Sequence, residues 1–327
     1  MSKQSIAIIG AGLSGAVCAQ QLMQAGHKVT VFEKSRGTGG RMAAARVGET
    51  SVDLGNPWLC ADGKGDFEHW LAQQPSLLSW TTNVADFSGA HKAELPVYVA
   101  QGRQSAFTRT LLAGAEIKNQ TRVAYLWRDE AGVVLRDEQD QALGHFDGVV
   151  VATPAPQAVP LLEMTQRFAK RAEQVKTQVT WVVVCQGEPS QELPWQCLAG
   201  QHPVLARVVK NSDKPGREGP TTWFIEATDE WSLAHEDTPA EQVYEHLTRE
   251  LTAVLHHQGV SITLEGGKAH RWLYARHISE LSEPCLFSWD DRLGVCGDWL
   301  AHQGAAGAWH SGQAVAQAWL EALDGRS

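Results

Sequence analysis

Ser5-Ile6-Ala7-Ile8-Ile9-Gly10-Ala11-Gly12-Leu13-Ser14-Gly15 opens the chain, and Lys28-Val29-Thr30-Val31-Phe32-Glu33 follows it. The apolar run Ile6 to Ile9 reads as a buried strand, Leu13 to Ala25 as a helix, Gly26 as its stop and Lys28 to Phe32 as the next strand. Gly10, Gly12 and Gly15 occupy the strand-to-helix turn. Without side chains there, backbone N–H groups and the helix N-terminus can approach a diphosphate, with Leu13 and Ser14 at the first helical positions. Glu33 ends the second strand, where a carboxylate can accept both hydroxyls of a ribose and repel a 2'-phosphate. The stretch therefore predicts an α/β fold, doubly wound at its start, with a dinucleotide site.

A second glycine-rich loop comes next, Lys34-Ser35-Arg36-Gly37-Thr38-Gly39-Gly40-Arg41-Met42. Two arginines and three glycines beside the first turn suit a cofactor longer than NAD, with a ring at its far end. The C-terminal region supplies matching features in Gly297-Asp298, at the end of a buried strand, and Gly304-Ala305-Ala306-Gly307, at the start of a helix running to Leu323. Asp298 can accept hydrogen bonds from a ribityl or phosphate-side hydroxyl. N–H groups at Ala306 and Gly307 can face the N1/O2 edge of a flavin, where negative charge gathers on reduction. FAD is the cofactor these segments predict together. A plain Rossmann domain serving an NAD-dependent dehydrogenase is the alternative.

Between these ends the pattern changes. Residues 56–96 read as a loop-rich, aromatic excursion, with Trp58, Phe67, Trp70, Trp80 and Phe87. Short strands are expected at Thr121 to Trp127, Gly132 to Arg136 and His145 to Val151, closed by Thr153-Pro154-Ala155-Pro156. Helical spacing follows from Gln157 to Lys176. Strands are expected again at Val179 to Val184, Val204 to Val209 and Thr221 to Ala227, then an acidic turn at Asp229 and Glu230. From Pro239 to His256, Val243, Leu247, Leu251, Val254 and Leu255 share one helical face. The expected organisation is a discontinuous Rossmann-like FAD-binding domain, residues 1–55, 97–156 and 291–327, with an α+β substrate domain, residues 56–96 and 157–290.

Composition narrows the function classes. The 327 residues are 43% hydrophobic and 20% charged, with a net charge of -9, as in an ordinary globular protein. Lys and Arg are scattered, which argues against a nucleic-acid face. Six cysteines without a C-x-x-C pair read as reduced thiols of a cytoplasmic protein rather than metal ligands. No run is long enough for a bilayer, and Ile6 to Ile9 leads directly into the glycine turn, so neither a membrane anchor nor a signal peptide is expected.

Ala7 to Gly15, Phe32 to Met42, Val151-Ala-Thr-Pro-Ala-Pro-Gln157, His270-Arg-Trp-Leu-Tyr-Ala-Arg276, Val295-Cys-Gly-Asp-Trp299 and Gly307-Ala-Trp-His-Ser-Gly-Gln313 together resemble a known group. It is the FAD-dependent amine-oxidase-like flavoproteins, and within them the bacterial renalase-like proteins. The resemblance implies a p-hydroxybenzoate-hydroxylase-like layout and non-covalent FAD held at Gly10, Gly12, Gly15, Glu33, Arg41 and Asp298. It further implies oxidation of isomeric dihydronicotinamide dinucleotides, NAD(P)H in a wrongly reduced form. A hydride passes to flavin N5, and O2 reoxidises the flavin to give H2O2.

Trp58, Arg271 and Tyr274 are the candidate catalytic residues, as groups that would bind and orient the substrate, with Trp272 and Arg276 beside them; each also has a plain packing or solvated reading. The chain departs from the family at Asp53-Leu54-Gly55-Asn56-Pro57-Trp58-Leu59, where relatives carry Asp-x-Gly-Ala-Gln-Tyr-Phe. It departs again at Gln101-Gly102-Arg103-Gln104 before Ser105-Ala106, where relatives carry Pro-Gly-Met, and at Gly304 to Gly307, where they carry bulkier and charged residues before the glycine. These departures motivate a further alternative, a FAD-binding redox sensor or partner-binding module that has lost the reaction.

Overall fold

The computed structural model describes residues 3–60, 65–278, 281–300 and 302–325. The chain forms two compact units, one from Met1–Gly40, Thr108–Lys176 and His277–Ser327, the other from Arg41–Phe107 and Thr177–Arg276. Residues 41–55 and 97–107 thus fold with the second unit, and 157–176 and 277–290 with the first, unlike the division expected from sequence. Packing explains the shift. Ala45, Val47 and Val52 bury against Val97, Val99, Val182, Val184 and Phe224, whereas Leu161, Leu162, Phe168 and Ala172 bury against Val149 and Val151.

Unit 1 is built on a six-stranded sheet in the order Leu286–Ser288, Leu293–Val295, Gly148–Val151, Ser5–Ile9, Lys28–Glu33, Glu116–Asn119. All neighbours are parallel except the first pair. The central strands are apolar almost throughout because helices must cover both faces of a parallel sheet. Helix Leu13–Gln24 makes the first crossover and stops at Gly26, whose φ of +91° suits glycine. Helix Gly304–Asp324 packs closely on it: a Cβ on Gly312 would lie 2.4 Å from the Ser14 carbonyl oxygen. The single strand expected at His145 to Val151 is divided at Asp147, which turns to accept the Ser5 N–H at 2.7 Å. Ala142–Phe146 joins Val133–Arg136 and Tyr125–Arg128 in a separate antiparallel sheet, and Gly148–Val151 enters the main one.

Unit 2 carries a seven-stranded sheet in the order Glu265–His277, Thr177–Gln186, Thr222–Ala227, Leu205–Lys210, Cys197–Ala199, Leu77–Ala85, His91–Ala100. The last two strands are a long hairpin, most of it within the stretch 56–96 expected to be loop-rich. Helix Ala240–His257 covers one face with Val243, Leu247, Leu251, Val254 and Leu255, the set expected from sequence. Asp229 and Glu230 begin a helix, Asp229–Ala234, rather than a turn. The Trp231 N–H donates to the Thr228 hydroxyl, and two acids in the first turn favour the positive helix end. The other sheet face receives the hairpin Ala44–Val47/Thr50–Asp53 and the Trp58 ring.

Candidate functional site

Side by side at the carboxyl edge of the unit 1 sheet lie Gly10, Ala152 and Cys296, the residues that follow three adjacent parallel strands. The Gly10 N–H donates to the Phe32 carbonyl at 2.8 Å, the Ala152 N–H to Ile9 at 2.8 Å and the Cys296 N–H to Val151 at 3.0 Å. Open α/β sheets bind ligands at this edge. Gly10 has φ of +110°, and a Cβ there would lie 2.6 Å from the Ala152 carbonyl oxygen; one on Gly15 would lie 2.2 Å from that of Gly10. Those two glycines are required by the turn itself. Gly12 differs, since a Cβ on it meets nothing within 4 Å. The helix it begins has neither a side-chain cap nor an acid in its first turn, which leaves its N–H groups for an anion.

The second loop docks on the first. The Gly39 N–H donates to the Ala11 carbonyl at 2.9 Å, and a Cβ on Gly40 would meet the Gly12 Cα at 3.2 Å. Glu33 is buried and ties the loops together, accepting from the Ala11 N–H at 3.0 Å and the Ser35 N–H at 2.8 Å. Leu13 and Ser14 are buried at the helix start, and Lys34 and Arg36 are exposed on the second loop. Arg41 and Met42 belong to unit 2, where the Arg41 guanidinium donates to the Ala275 carbonyl at 3.0 Å. Asp298 is buried and accepts the Gly304 N–H at 3.0 Å, while the Gly297 N–H donates to the Ser311 hydroxyl at 2.9 Å. Ala306 is half-buried. Gly307 is required by its own loop, for a Cβ there would fall 1.7 Å from the His302 carbonyl oxygen. A cleft of about 360 Å³ runs along this helix past His302, Gly307, His310 and Gln317.

In unit 2 the period-two geometry of Glu265–His277 separates residues that the sequence had grouped. Trp272 joins the apolar cluster containing Trp58 and donates from Nε1 to the Leu54 carbonyl at 3.0 Å. Arg276 reaches Glu226 at 2.7 Å and Asp229 at 2.6 Å, so Tyr274, between them in the alternation, shares their face. Arg271, expected with Trp58 and Tyr274, is on the opposite face. It lies over the Trp181 ring, 5.8 Å from its centroid, and binds the Glu236 carbonyl and the Asp237 carboxylate. Trp58 is 5% exposed, edge-on to Trp80 at 6.2 Å, with the Arg207 guanidinium 5.3 Å from its ring centroid.

Two charged groups of residues on this face were not found from sequence. Arg207 makes two bonds to Glu226, at 2.9 and 2.6 Å, and Glu226 also holds Arg276. Farther along, Asp53 accepts from Lys214 Nζ at 2.8 Å, Arg217 Nη2 at 2.7 Å and the Gln104 N–H at 2.8 Å. Burial pushes the Asp53 carboxyl up, but Lys214, Arg217 and the Gln104 amide outweigh it and hold it below its usual range. Burial drives the Lys214 ammonium down to about 8, with Arg217 adding to the fall and Asp53 opposing it. Thiol chemistry has little support nearby, because burial raises Cys185 and Cys197 to about 12. Among the described residues no group of three or more His, Cys, Asp or Glu could hold a metal ion, and no helix is long and apolar enough to cross a membrane.

Comparison with known proteins agrees with this architecture. Residues 8–73 match the model of the NAD(P)-binding Rossmann-like domain. Over 63 residues, 18% of this chain, the sequence is 52% identical to the protein FLOWERING LOCUS D of Arabidopsis thaliana, a match spanning 8% of that relative's length. An oxidoreductase from Methanosarcina mazei shares the fold at a TM-score of 0.71 and 13% identity, covering 96% of this chain and 100% of that one. Putrescine oxidase bound to putrescine gives a TM-score of 0.68 at 13% identity, covering 98% and 99%. The chain is a mixed α/β protein with a Rossmann-type dinucleotide-binding domain.

Proposed function

We propose that the chain is a FAD-dependent oxidoreductase of the renalase-like type, which oxidises a small reduced substrate, an isomeric dihydronicotinamide dinucleotide being the candidate. The observation that carries the reading is the double cradle of unit 1, in which the Gly37 to Gly40 loop folds onto the Gly10 to Gly15 turn and Glu33 ties them. A second glycine loop at this position suits FAD, and the shared fold of an oxidoreductase and an amine oxidase supports the same class.

The residues fit the cofactor in three places. Open space at Gly12 and uncapped N–H groups of Leu13 to Gly15 can take the diphosphate. Each Glu33 oxygen accepts one bond within the protein and keeps a lone pair for a ribose hydroxyl. In this reading Asp298 would hold a ribityl hydroxyl, and the N–H groups at the helix start, Ala306 and Gly307, would take the ring end of the cofactor. When bound, FAD supplies a two-electron acceptor that O2 can reoxidise with release of H2O2.

Hydride transfer needs no strong base from the protein, so the substrate-binding residues need only orient the substrate and exclude water. Half-buried Tyr274 can offer its ring to a flat substrate, whereas Trp58, 5% exposed, is packed against Trp80 and Arg207. Arg276 is held by Glu226 and Asp229, which suits it to positioning rather than to neutralising a free anion. The test is anaerobic mixing of the yellow protein with isomeric dihydronicotinamide dinucleotides. Bleaching supports the reading, and failure of every nicotinamide isomer and amine to bleach it removes the reading. The burial of Trp58 favours one other reading, a flavin-binding sensor or partner-binding module without oxidase activity, and absence of bleaching in a yellow protein selects it.

A further inference from the structure

We propose that Asp53, Lys214 and Arg217 form a buried positioning device that sets residues 54–59, and through them Trp58, for the substrate; this rests on the flavoenzyme reading. Lys214 and Asp53 have no exposed side-chain surface, and that of Arg217 is 4% exposed. With all three ionised, the cluster carries one negative and two positive charges. Well-packed apolar residues can often replace such a group without loss of stability, so a role in fixing geometry is the better explanation for keeping it.

The geometry joins three distant segments. Asp53 takes its three bonds from Gln104, Lys214 and Arg217. Arg217 also donates to the Ala100 carbonyl at 2.7 Å, and Lys214 to Asn211 Oδ1 at 2.9 Å. Gln104 Oε1 accepts the Ala100 N–H at 2.6 Å. The segment that rebuilds the substrate region, 54–59, is thereby connected to the other rebuilt segment, 101–104. Leu59 and Tyr98 reinforce the connection by exchanging both backbone bonds at 2.8 Å.

Little freedom remains between these anchors. The Leu54 N–H donates to Ala43 at 2.9 Å and that of Asn56 to Arg41 at 2.8 Å. A Cβ on Gly55 would fall 1.9 Å from the Arg41 carbonyl oxygen. Trp58 leaves this fixed segment to meet Trp80 and Arg207, and Arg207 is itself held by Glu226. Arg217 Nε and Gln104 Nε2 are buried without a hydrogen-bond partner, so the cluster is not arranged for maximum bonding. The charged groups acting on Lys214 are Asp53, Arg217 and Arg207, and loss of its proton changes the net charge behind the segment.

The experiment compares wild-type and Lys214→Met full-length protein carrying its own flavin, with Lys214→Gln as a second variant should the first not fold. Three quantities are read: flavin content, the rate of anaerobic reduction by isomeric dihydronicotinamide dinucleotide against pH, and hydrogen exchange of peptides spanning 54–60 and 98–104. The expected variant retains its flavin, exchanges faster in both peptides and is reduced up to about a hundredfold more slowly. It is also expected to lose the change in rate that titration of Lys214, at about 8, should give the wild type. Unchanged rate and pH profile, or faster exchange confined to 211–217, overturns the proposal. A wild-type protein without flavin ends the flavoenzyme reading instead; exchange at 54–60 and 98–104 then decides the coupling alone.

Discussion

The cradle of unit 1 and the Trp58 face of unit 2 are built in opposite ways. Unit 1 presents backbone, with the tight turn at Gly10, Gly12 and Gly15 leaving the N–H groups of Leu13 to Gly15 uncapped over a short stretch of chain. Unit 2 presents side chains drawn from distant segments, so that Asp53 meets Lys214 and Arg217 across separations of 161 and 164 residues. Recognition by backbone tolerates change elsewhere in the chain, whereas recognition by assembled side chains depends on every segment. A cofactor site of the first kind can persist while a substrate site of the second kind is rebuilt.

The largest effect should come from the assembled side. Replacing Asp53 with Ala leaves two buried cations without their anion and should cost about 3–5 kcal/mol of stability, measured by urea unfolding; a loss below about 1 kcal/mol would mean that water reaches the cluster. On the backbone side, Gly15→Ala and Gly12→Val should part company. Gly15→Ala meets the Gly10 carbonyl and should lower thermal stability together with flavin content. Gly12→Val has open space and should lose flavin while keeping a melting temperature near that of flavin-stripped wild type. Equal damage from both would show that the cradle is only a turn.

A smaller effect should appear with pH. Lys214 titrates at about 8 when folded, below its ordinary 10.5. Between those values the unfolded chain holds the extra proton, so this group makes stability rise with pH across the window. Lys214→Met should remove that rise from the difference between the two unfolding curves. Asp53 acts at the other end: its folded value lies below the usual 3.8, so its contribution is present above that pH and fades as pH falls through the folded value. The smallest change is expected at Arg271. Its replacement by Lys should alter flavin reduction less than Trp58→Ala does, because it lies on the other face of the sheet; a larger effect would reverse the assignment of faces.

Local features were legible in the sequence because their causes are local. The Gly10 to Gly15 turn and the apolar face of Ala240–His257 each follow from spacing within one element. Hairpin Leu77–Ala85/His91–Ala100 was hidden by polar residues such as Glu94 and Lys92 on exposed positions. The helix at Asp229 was hidden because acids in a first helical turn look like acids in a loop. Arg271 and Tyr274 were grouped by adjacency, although a strand sends residues of odd separation to opposite faces. Nothing near Lys214 in the chain, Lys214-Pro215-Gly216-Arg217 included, signals that its partner is Asp53. Domain limits moved for the same reason, since apolar packing among distant strands decides which unit a segment joins.

The most direct test of the cradle is the identity of the molecule released when the purified protein is mildly denatured. FAD, released intact without proteolysis and absent from Gly12→Val, is the predicted result. A nicotinamide dinucleotide in its place, or FAD retained undiminished by Gly12→Val, would contradict the account.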